Sequence, residues 1–404
     1  MVDPLRIPPP PRRLRDFYGP QVDGRTLRAA ERQLETLEPE HAPPHFDLTY
    51  ADTHRFPPPD WALPAFTEAA AGKGMTYTPY RGDRGVRQQV AHNLTTFLKT
   101  PINPDTELIL TPGTQAGLFG ALSSLVDPGD LVAIFDPDYM TTERTLRYLG
   151  AWVQHVPITW QDGTGQVDLA ALEAIAREKP KLLVFSHPNN PTGAVFDRAT
   201  IERIADIAGR HNLMVLVDEL YCRLLFDGRP FTHLATLDGM RERCITLLGP
   251  SKTESMSGYR VGVAVASPDI IDRMEDVLSV AALRAPAYAQ HTLTRWLADD
   301  GPYVATRVGD YQRLRDKATS LLAESKHLAP YKPNGTAYMF PAVAGLTASD
   351  QAIALELRRS GVTINPGYQF GPGGARHFRI CFAQDEANLR EALGRIGQAL
   401  ARVS

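Results

Sequence analysis

The sequence of 404 residues has few cysteines, no long apolar run and no excess of charge of one sign. Its three cysteines, Cys222, Cys244 and Cys381, show no CxxC spacing and lie inside apolar runs, so we expect buried thiols rather than metal ligands or disulfides. This cysteine usage is typical of a reducing cytoplasm. The formal net charge of −3 gives no basic balance of the kind that nucleic-acid-binding proteins carry.

Apolar stretches long enough for a membrane are also lacking. No stretch is apolar over the ~18 residues that a membrane-spanning helix requires, and the N-terminal segment has no apolar signal-peptide core. We therefore expect a soluble, unprocessed, cytoplasmic protein. A chain of this length has room for a large buried core and for two lobes.

From about residue 105 onward, short apolar runs alternate with segments of helical spacing, which is the pattern of βαβ units and a mainly parallel sheet. Beyond about residue 300 the chain becomes a long charged helical stretch, then a short αβ mixture and a terminal helix. We predict an α/β protein with a large domain over 56–300, and a smaller domain formed by 1–55, with an N-terminal arm, and 301–404. The predicted strands are 107–111, 131–135, 181–185, 213–218, 244–249 and 261–266, and the first predicted helices are 168–179 and 199–212.

A cluster of polar residues follows or ends each of five predicted strands. The clusters read TPGTQAG after 107–111, DPDY after 131–135, SHPNNPTG after 181–185, DELY at the end of 213–218, and PSK after 244–249. Open α/β sheets bind ligands at the carboxyl ends of their strands. We therefore expect the five clusters to meet along one edge of the sheet.

Each cluster has an ordinary structural explanation when it is taken alone. The segment 113–115 begins a helix whose N-terminal N–H groups suit a phosphate, but Thr114 is also a plain helix cap. Asp218 ends an apolar strand, where a carboxylate needs either a structural ion pair or a ligand as its partner. Tyr139 and Tyr221 are of a residue type that more often belongs to the core.

The stretch GPSKTESMSGYRVG (249–262) sets one lysine among turn residues. A nucleotide-binding P-loop is excluded because Ser251, and not a glycine, precedes Lys252. The stretch can still be a surface loop, or Lys252 can be a covalent catalyst. Arg379, in the strand-like run FRICFA, needs an anionic partner.

Together these residues describe a site for an aromatic, phosphorylated cation that a lysine holds covalently. A pyridinium nitrogen needs a carboxylate, and a phenolate oxygen needs Asn and Tyr donors. A ring face needs an aromatic side chain, and a phosphate needs a helix N-terminus with an arginine. Pyridoxal phosphate has all of these groups, so we expect it as the cofactor, without a metal site.

The motifs HPNNPTG, VDELY, and SK followed by GYRVG occur in this order along the chain. With them the sequence resembles the fold-type I pyridoxal-phosphate enzymes of the class I/II aminotransferase family, in the aspartate and aromatic branch, over about residues 45–400. The resemblance implies a large domain whose mainly parallel, seven-stranded sheet lies between helices. It also implies a homodimer with a shared active site.

The resemblance implies a role for each matching residue. Lys252 matches the Schiff-base lysine, Asp218 the partner of the pyridine nitrogen, and Arg379 the arginine that binds the substrate's α-carboxylate. Tyr77 matches the tyrosine that reaches the phosphate of the neighbouring subunit. The other implied cofactor-binding positions are Gly113, Thr114 and Gln115 in the phosphate loop, Tyr139 on the ring face, Asn190 and Tyr221 at the ring oxygen, Arg260 at the phosphate, and Ser251.

The sequence departs from the family pattern at the turn before Lys252 and at the segment expected to line the substrate site. Pro250 stands where the family usually has an apolar or hydroxyl residue, and YADT (50–53) replaces a glycine-glutamate-proline segment. Ala51 or a neighbour is therefore expected to line the substrate site, with Arg379 and Asn190. The candidates around the substrate side chain are His54, Arg55, Tyr80, Arg81 and Arg284. The cationic candidates favour an acidic or polar amino acid, whereas the aromatic neighbours and Tyr18 favour an aromatic one.

The implied activity is transfer of an amino group between an α-amino acid and a 2-oxo acid through a Schiff base at Lys252. An α,β-lyase such as a C–S lyase, or a decarboxylase, is an alternative on the same scaffold, because a fold does not fix the reaction type. A non-enzymatic regulator that binds the cofactor is disfavoured, because the chain has no DNA-binding module or basic arm.

Overall fold

The structure is a computed structural model that describes residues 11–15, 17, 19, 21–22, 24–40, 44–50, 55–72, 76–161, 164–298, 300–329 and 331–403. The helices are α1 (Arg12–Arg15), α2 (Leu27–Thr36), α3 (Ala62–Ala71), α4 (Arg84–Leu98), α5 (Thr114–Leu125), α6 (Met140–Leu149), α7 (Leu169–Arg177), α8 (Arg198–Arg210), α9 (Pro268–Ala281), α10 (Ala287–Gln290), α11 (Gly301–Leu322), α12 (Asp350–Arg359) and α13 (Glu386–Arg402). The strands are β1 (Phe46–Asp47), β2 (Leu108–Thr111), β3 (Leu131–Asp136), β4 (Trp152–Gln161), β5 (Thr164–Val167), β6 (Leu182–Ser186), β7 (Met214–Asp218), β8 (Cys244–Leu248), β9 (Gly262–Val265), β10 (Leu328–Ala329), β11 (Tyr338–Met339), β12 (Ala342–Val343), β13 (Val362–Thr363), β14 (Asn365–Pro366) and β15 (Phe378–Cys381).

The large sheet has the strand order β2-β9-β8-β7-β6-β3-β4-β5. The strands β8, β7, β6, β3 and β4 are parallel, whereas β9 is antiparallel to both of its neighbours and β5 is antiparallel to β4. The predicted α/β class with a mainly parallel sheet is therefore confirmed. The sheet has one strand more than expected because β4 is long: residues 152–157 pair with β3, and residues 158–161 pair with β5.

All six strands that apolar runs predicted are present, with each end within one residue of its expected position. Strand β4 was not predicted. Its sequence contains Gln154, His155 and Pro157, which interrupt the apolar pattern that marked the other strands. A strand that is half-buried and contains proline is typical of the outer part of a sheet, which is where β4 lies.

Alternate side chains of the central strands pack on opposite faces of the sheet, as strand geometry requires. In β6, Leu183 and Phe185 join a core with α7 and α8, whereas Leu182 and Val184 join a core with α5 and α9. Strands covered on both faces read as near-continuous apolar runs, which is why they were visible in the sequence. The helices on both faces hold the carboxyl ends of the strands in place.

A further core lies among α11, α12 and α13 and includes Phe46, Leu48 and Phe56 from the N-terminal part of the chain. The buried strand β15 lies beside β11 and β14, and β1 pairs with β13. Both ends of the chain therefore contribute to this core. The division into domains at 55/56 and 300/301 stays a prediction.

The three cysteines are buried thiols, as expected. Within the part of the chain that the structure describes, no helix is both long enough and apolar enough to cross a membrane.

Candidate active site

A cavity of about 400 Å³ lies at the carboxyl edge of the large sheet. Its walls come from the turns after β3, β6, β7 and β8, from the first turn of α5, and from β15. The polar clusters predicted to meet at this edge therefore do meet. The residues predicted for the site that line the cavity are Thr114, Gln115, Tyr139, Asn190, Asp218, Tyr221, Ser251, Lys252, Arg260 and Arg379.

One corner of the cavity has the features of an anion site. Helix α5 begins at Thr114, so the N–H groups of its first turn have no acceptor within the helix. Gly113 has a φ of +76°, and a Cβ there would clash with the guanidinium of Arg260. A Cβ on Gly262 would lie 2.6 Å from the backbone nitrogen of Thr114. The two glycines therefore let the arginine and the helix N-terminus come together.

Asp218 is the last residue of β7 and lines the cavity. Its Oδ1 accepts a hydrogen bond from the backbone N–H of Leu220 at 3.2 Å. Burial raises the pKa of Asp218 to about 6, although this N–H and the positive charge of Lys252 act in the opposite direction. Above that pH, Asp218 is a carboxylate that can accept a hydrogen bond from a cationic ligand.

Lys252 lies in the turn that follows β8, with its side chain partly buried against the cavity. The turn is closed by a hydrogen bond of 3.2 Å from Met256 N to the Pro250 carbonyl. Ser251 is buried beside Lys252 and also lines the cavity. The unusual Pro250 is thus part of the closure that holds the lysine's turn.

A buried cluster of charges, which sequence reasoning missed, lies next to this turn. Arg223 donates to both carboxylate oxygens of Asp300, at 2.8 and 2.7 Å, and also to Glu254. Burial raises the pKa of Glu254 to about 8, against the effect of Arg223. The cluster joins the segment after β7 to the Lys252 turn and to the start of α11. No motif marks it, because its three members are far apart in the sequence.

Arg379 is 6% exposed, and its guanidinium is held on several sides. Its Nη1 donates to Asn190 Oδ1 at 2.9 Å, and its Nη2 donates to the Thr49 carbonyl and to Asn365 Oδ1, both at 2.6 Å. The guanidinium carbon lies 4.0 Å from the centroid of the Tyr338 ring. All of these partners are neutral, so the charge of Arg379 stays available for an anionic ligand.

Tyr221 is buried, and its hydroxyl has no hydrogen-bond partner among the described residues. Burial, and then the neighbouring Tyr338, raise the pKa of Tyr221 well above its ordinary value. Tyr221 is therefore a neutral phenol with an unused donor. Asn190, which lines the same cavity, is fixed through its backbone N–H, which donates to Ser186 Oγ at 3.0 Å.

Tyr139 donates a hydrogen bond of 3.2 Å to Gln115 Oε1. The preceding Asp138 belongs to the DPDY cluster, and the sequence alone predicts no role for its carboxylate. Its Oδ2 accepts from Ser186 N at 2.9 Å and from Asn189 Nδ2 at 3.0 Å, while its Oδ1 accepts from Tyr139 N at 2.6 Å. Burial raises the pKa of Asp138 to about 8. Asp138 therefore joins the turn after β3 to the turn after β6.

Tyr77 is a predicted site residue that does not line this cavity. Its side chain is 84% exposed, and its ring lies 4.6 Å from the guanidinium carbon of Arg284. The same guanidinium lies 4.6 Å from the ring of Tyr80. Within one chain, Tyr77 is therefore part of a cation–aromatic cluster at the surface.

Two further substrate candidates, Arg55 and Arg81, do not line this cavity either. Arg55 is paired with Asp385 at 3.2 Å, and Arg81 is paired with Asp272 and Glu275 on α9. The predictions for Ala51, His54 and Tyr18 lie outside the described residues.

Sequence and structure comparisons with known proteins agree on one protein family. The family model for aminotransferase class I and II matches residues 47–396. An arginine–pyruvate transaminase of Pseudomonas aeruginosa is 30% identical over 85% of this chain and 88% of its own length. An aromatic-amino-acid aminotransferase of Thermococcus litoralis is also 30% identical, over 85% of this chain and 90% of its own. The crystal structure of an aspartate aminotransferase from Rhodobacter sphaeroides, 32% identical, has a TM-score of 0.85 and covers 94% of this chain and 100% of that one. The expected fold-type I architecture is thereby confirmed.

Proposed function

This chain belongs to the aminotransferase class I and II family, and from that premise we propose that its cavity binds pyridoxal 5'-phosphate and an α-amino acid. As a member of this family, the protein is an enzyme that transfers an amino group from an α-amino acid to a 2-oxo acid. The lyase and decarboxylase alternatives are not favoured. The observation that carries the proposal is that Lys252, Asp218, Arg260 and Arg379 all line one cavity.

The residues of the cavity fit the cofactor group by group. The phosphate suits the corner formed by the α5 N-terminus, Arg260 and the Thr114 hydroxyl, which is buried and has no partner among the described residues. The ring nitrogen suits the Asp218 carboxylate. The phenolic oxygen of the ring suits the unused hydroxyl of Tyr221 and the amide of Asn190. The cavity also has the size of a ligand pocket.

Bound pyridoxal phosphate supplies an aldehyde that reacts with primary amines and a ring that withdraws electrons from the α-carbon of the substrate. Lys252 Nζ holds the cofactor until substrate arrives, and as a free amine it then takes the proton from that α-carbon. The Asp218 carboxylate holds a proton at the ring nitrogen. Tyr139, whose hydroxyl is fixed by Gln115, would pack against a face of the ring. Ser251 lines the cavity beside the lysine.

Arg379 binds the α-carboxylate of the substrate as a charge-assisted pair, through N–H groups that its neutral partners leave free, which include Nε–H. Asn190 and Asn365 already orient the guanidinium, so little side-chain freedom is lost when the pair forms. Ala51 follows Tyr50, which lines the cavity, and we keep it as a proposed substrate-site residue.

The proposal predicts a half-reaction. When the protein loaded with pyridoxal phosphate is mixed with an α-amino acid and no oxo acid, the visible band of the aldehyde form should disappear. One equivalent each of the 2-oxo acid and of the aminated cofactor should appear. Absorbance spectroscopy with analysis of the products checks this. Catalytic release of ammonia with pyruvate, or of carbon dioxide, would contradict transamination and favour a lyase or a decarboxylase.

The variant Arg379→Lys sharpens this test, because it keeps the charge but loses the planar guanidinium and its additional N–H donors. Loss of a hydrogen bond to a charged group should raise the apparent KM for the amino acid by about tenfold to 100-fold. The matched control is Arg203→Lys on the exposed side of α8, which should leave the KM unchanged. An unchanged KM in Arg379→Lys would remove this arginine from the site.

We also propose that the working unit is a homodimer in which Tyr77 reaches the phosphate of the partner's cofactor. Tyr77 and α3 border a broad surface depression of about 810 Å³. Large apolar side chains nearby, including Leu63 on α3 and Leu283, are exposed. Large apolar side chains exposed beside a surface depression support an interface with a second protein.

Mixing two inactive variants tests the shared site. Lys252→Ala and Tyr77→Ala subunits, after exchange, should recover part of the activity, because one of the two sites in each mixed dimer then has both residues. Native mass spectrometry measures the exchange, and the rate of amino transfer measures the recovery. Proven exchange without any recovery would contradict the shared site.

The three buried thiols support our proposal of a reducing, cytoplasmic location. We likewise propose the domain division at 55/56 and 300/301, which is supported by the core that both ends of the chain share.

A further inference from the structure

Met140, the first residue of α6, lies between two cavities. One is the cavity of about 400 Å³ beside Lys252, and the other, of about 220 Å³, lies towards the N-terminal helix α2. Met140 is part of the wall of both. Methionine is flexible and unbranched, so its side chain can move aside more readily than a branched or aromatic one.

The charges in the first cavity have assigned tasks. Among the described residues that line it, the positively charged side chains are Lys252, Arg260 and Arg379, and the negatively charged one is Asp218. In the proposed function, three of these groups hold the cofactor and Arg379 holds the α-carboxylate. Among the described residues of this chain, a second charge on the substrate would therefore have no partner there, and an unpaired charge in a desolvated site is costly.

The charged side chains in the wall of the second cavity all have partners of opposite charge. Glu143 accepts hydrogen bonds from Arg147 Nε at 2.8 Å and pairs with His155 at 3.2 Å. Arg144 is paired with Glu31 on α2. These charges satisfy one another across the wall.

The rest of this wall is largely apolar. It includes Val22, Leu27, Pro372 and Ala375, together with Met140. Its volume of about 220 Å³ exceeds that of the roughly 150 Å³ apolar cavity that is known to bind benzene in another protein. The second cavity therefore has room for an aromatic ring or a branched aliphatic group.

We infer that the amino-acid substrate has a bulky, uncharged side chain, which extends past Met140 into the second cavity. This inference rests on the proposed function, since it assigns the other charges of the site to the cofactor and to the α-carboxylate. Met140 is then a residue that determines specificity.

Half-reactions of the pyridoxal-phosphate-loaded enzyme with phenylalanine, alanine and aspartate test the substrate class. The second-order rate constant should be largest for phenylalanine and smallest for aspartate. A larger value for aspartate would overturn the inference while leaving transamination intact, because a cation from outside the two cavities would then bind the distal carboxylate. If no α-amino acid converts the cofactor, the proposed function fails and the inference with it.

Variants of Met140 test the path of the side chain. Met140→Trp should block the way and lower the phenylalanine-to-alanine ratio of rate constants by about tenfold, the order of effect of reshaping an apolar pocket. Met140→Ala should open the way and raise the ratio of tryptophan to phenylalanine. The control, Thr141→Ala, changes a neighbour that lines neither cavity and should alter neither ratio.

Retention of the cofactor's visible band shows that each variant is folded. If both Met140 variants fold and the ratios of rate constants stay unchanged, the substrate side chain does not pass Met140 into the second cavity. The paired design keeps the test decisive if Met140→Trp does not fold, because Met140→Ala alone must still shift the second ratio.

Discussion

The Lys252→Ala protein is expected to lose amino transfer by about 10⁴-fold or more, because it lacks both the covalent attachment point and the amine that moves the α-proton. It should still bind pyridoxal phosphate without a covalent bond, since Asp218 and Arg260 remain in the cavity. Borohydride reduction followed by peptide mass analysis checks the attachment. In the wild-type protein the cofactor's mass should be found on the peptide that contains Lys252.

The control for this experiment is Lys181→Ala, which removes a half-exposed lysine paired with Asp130 at the start of β6. That variant should keep its activity and the label on Lys252. Two results would refute the assignment of Lys252: turnover near the wild-type rate in Lys252→Ala, or a label on a different lysine.

The Asp218→Asn protein should retain the cofactor but exchange the substrate's α-proton more slowly by several orders of magnitude. The amide is neutral, so it no longer stabilises a proton on the ring nitrogen, and the ring withdraws electrons less strongly. Exchange of the α-hydrogen of an amino acid with deuterated solvent, followed by NMR, measures this step without an acceptor.

The pH dependence provides a second readout for Asp218. In the chain without cofactor, burial raises the pKa of Asp218 to about 6, so the carboxylate that should bind the ring nitrogen is lost as the pH falls below that value. Asp206→Asn, the same chemical change on the exposed side of α8, serves as the control. A near-normal rate of α-proton exchange in Asp218→Asn would show that this carboxylate does not keep the ring nitrogen protonated.

The turns that carry the site could be predicted because each follows a buried strand. The strands β6 and β7 are covered on both faces, so they are marked by apolar runs, and the polar residues that follow them are easy to recognise. Because the carboxyl ends of these strands meet at one edge of the sheet, Asp218, Asn190 and Lys252 could be predicted to bind the same ligand. Strand β4, which is half-buried and contains Pro157, gives no such signal.

Contacts between distant residues could not be predicted in the same way. Asp138 receives its donors from Ser186 and Asn189, and Arg223 meets Glu254 and Asp300 only in the folded chain. Such partners are set by packing and carry no periodicity in the sequence. The roles of Tyr77 and Ala51 stay predictions, because one needs a second subunit and the other lies outside the described residues.

The position of β9 in the sheet has a consequence for the order in which the site forms during synthesis. Strand β9 lies between β2 and β8 although it follows both in the chain, and Arg260 reaches the Pro112 carbonyl across 148 positions. The contact of Arg379 with the Thr49 carbonyl spans 330 positions.

A chain leaves the ribosome with its N-terminus first. The phosphate corner therefore cannot close until β9 has emerged, and the carboxylate-binding arginine is placed only when nearly all of the chain has been made. A complete phosphate corner therefore requires that every strand of the large sheet has been synthesised, because β9 is the last of them in the sequence.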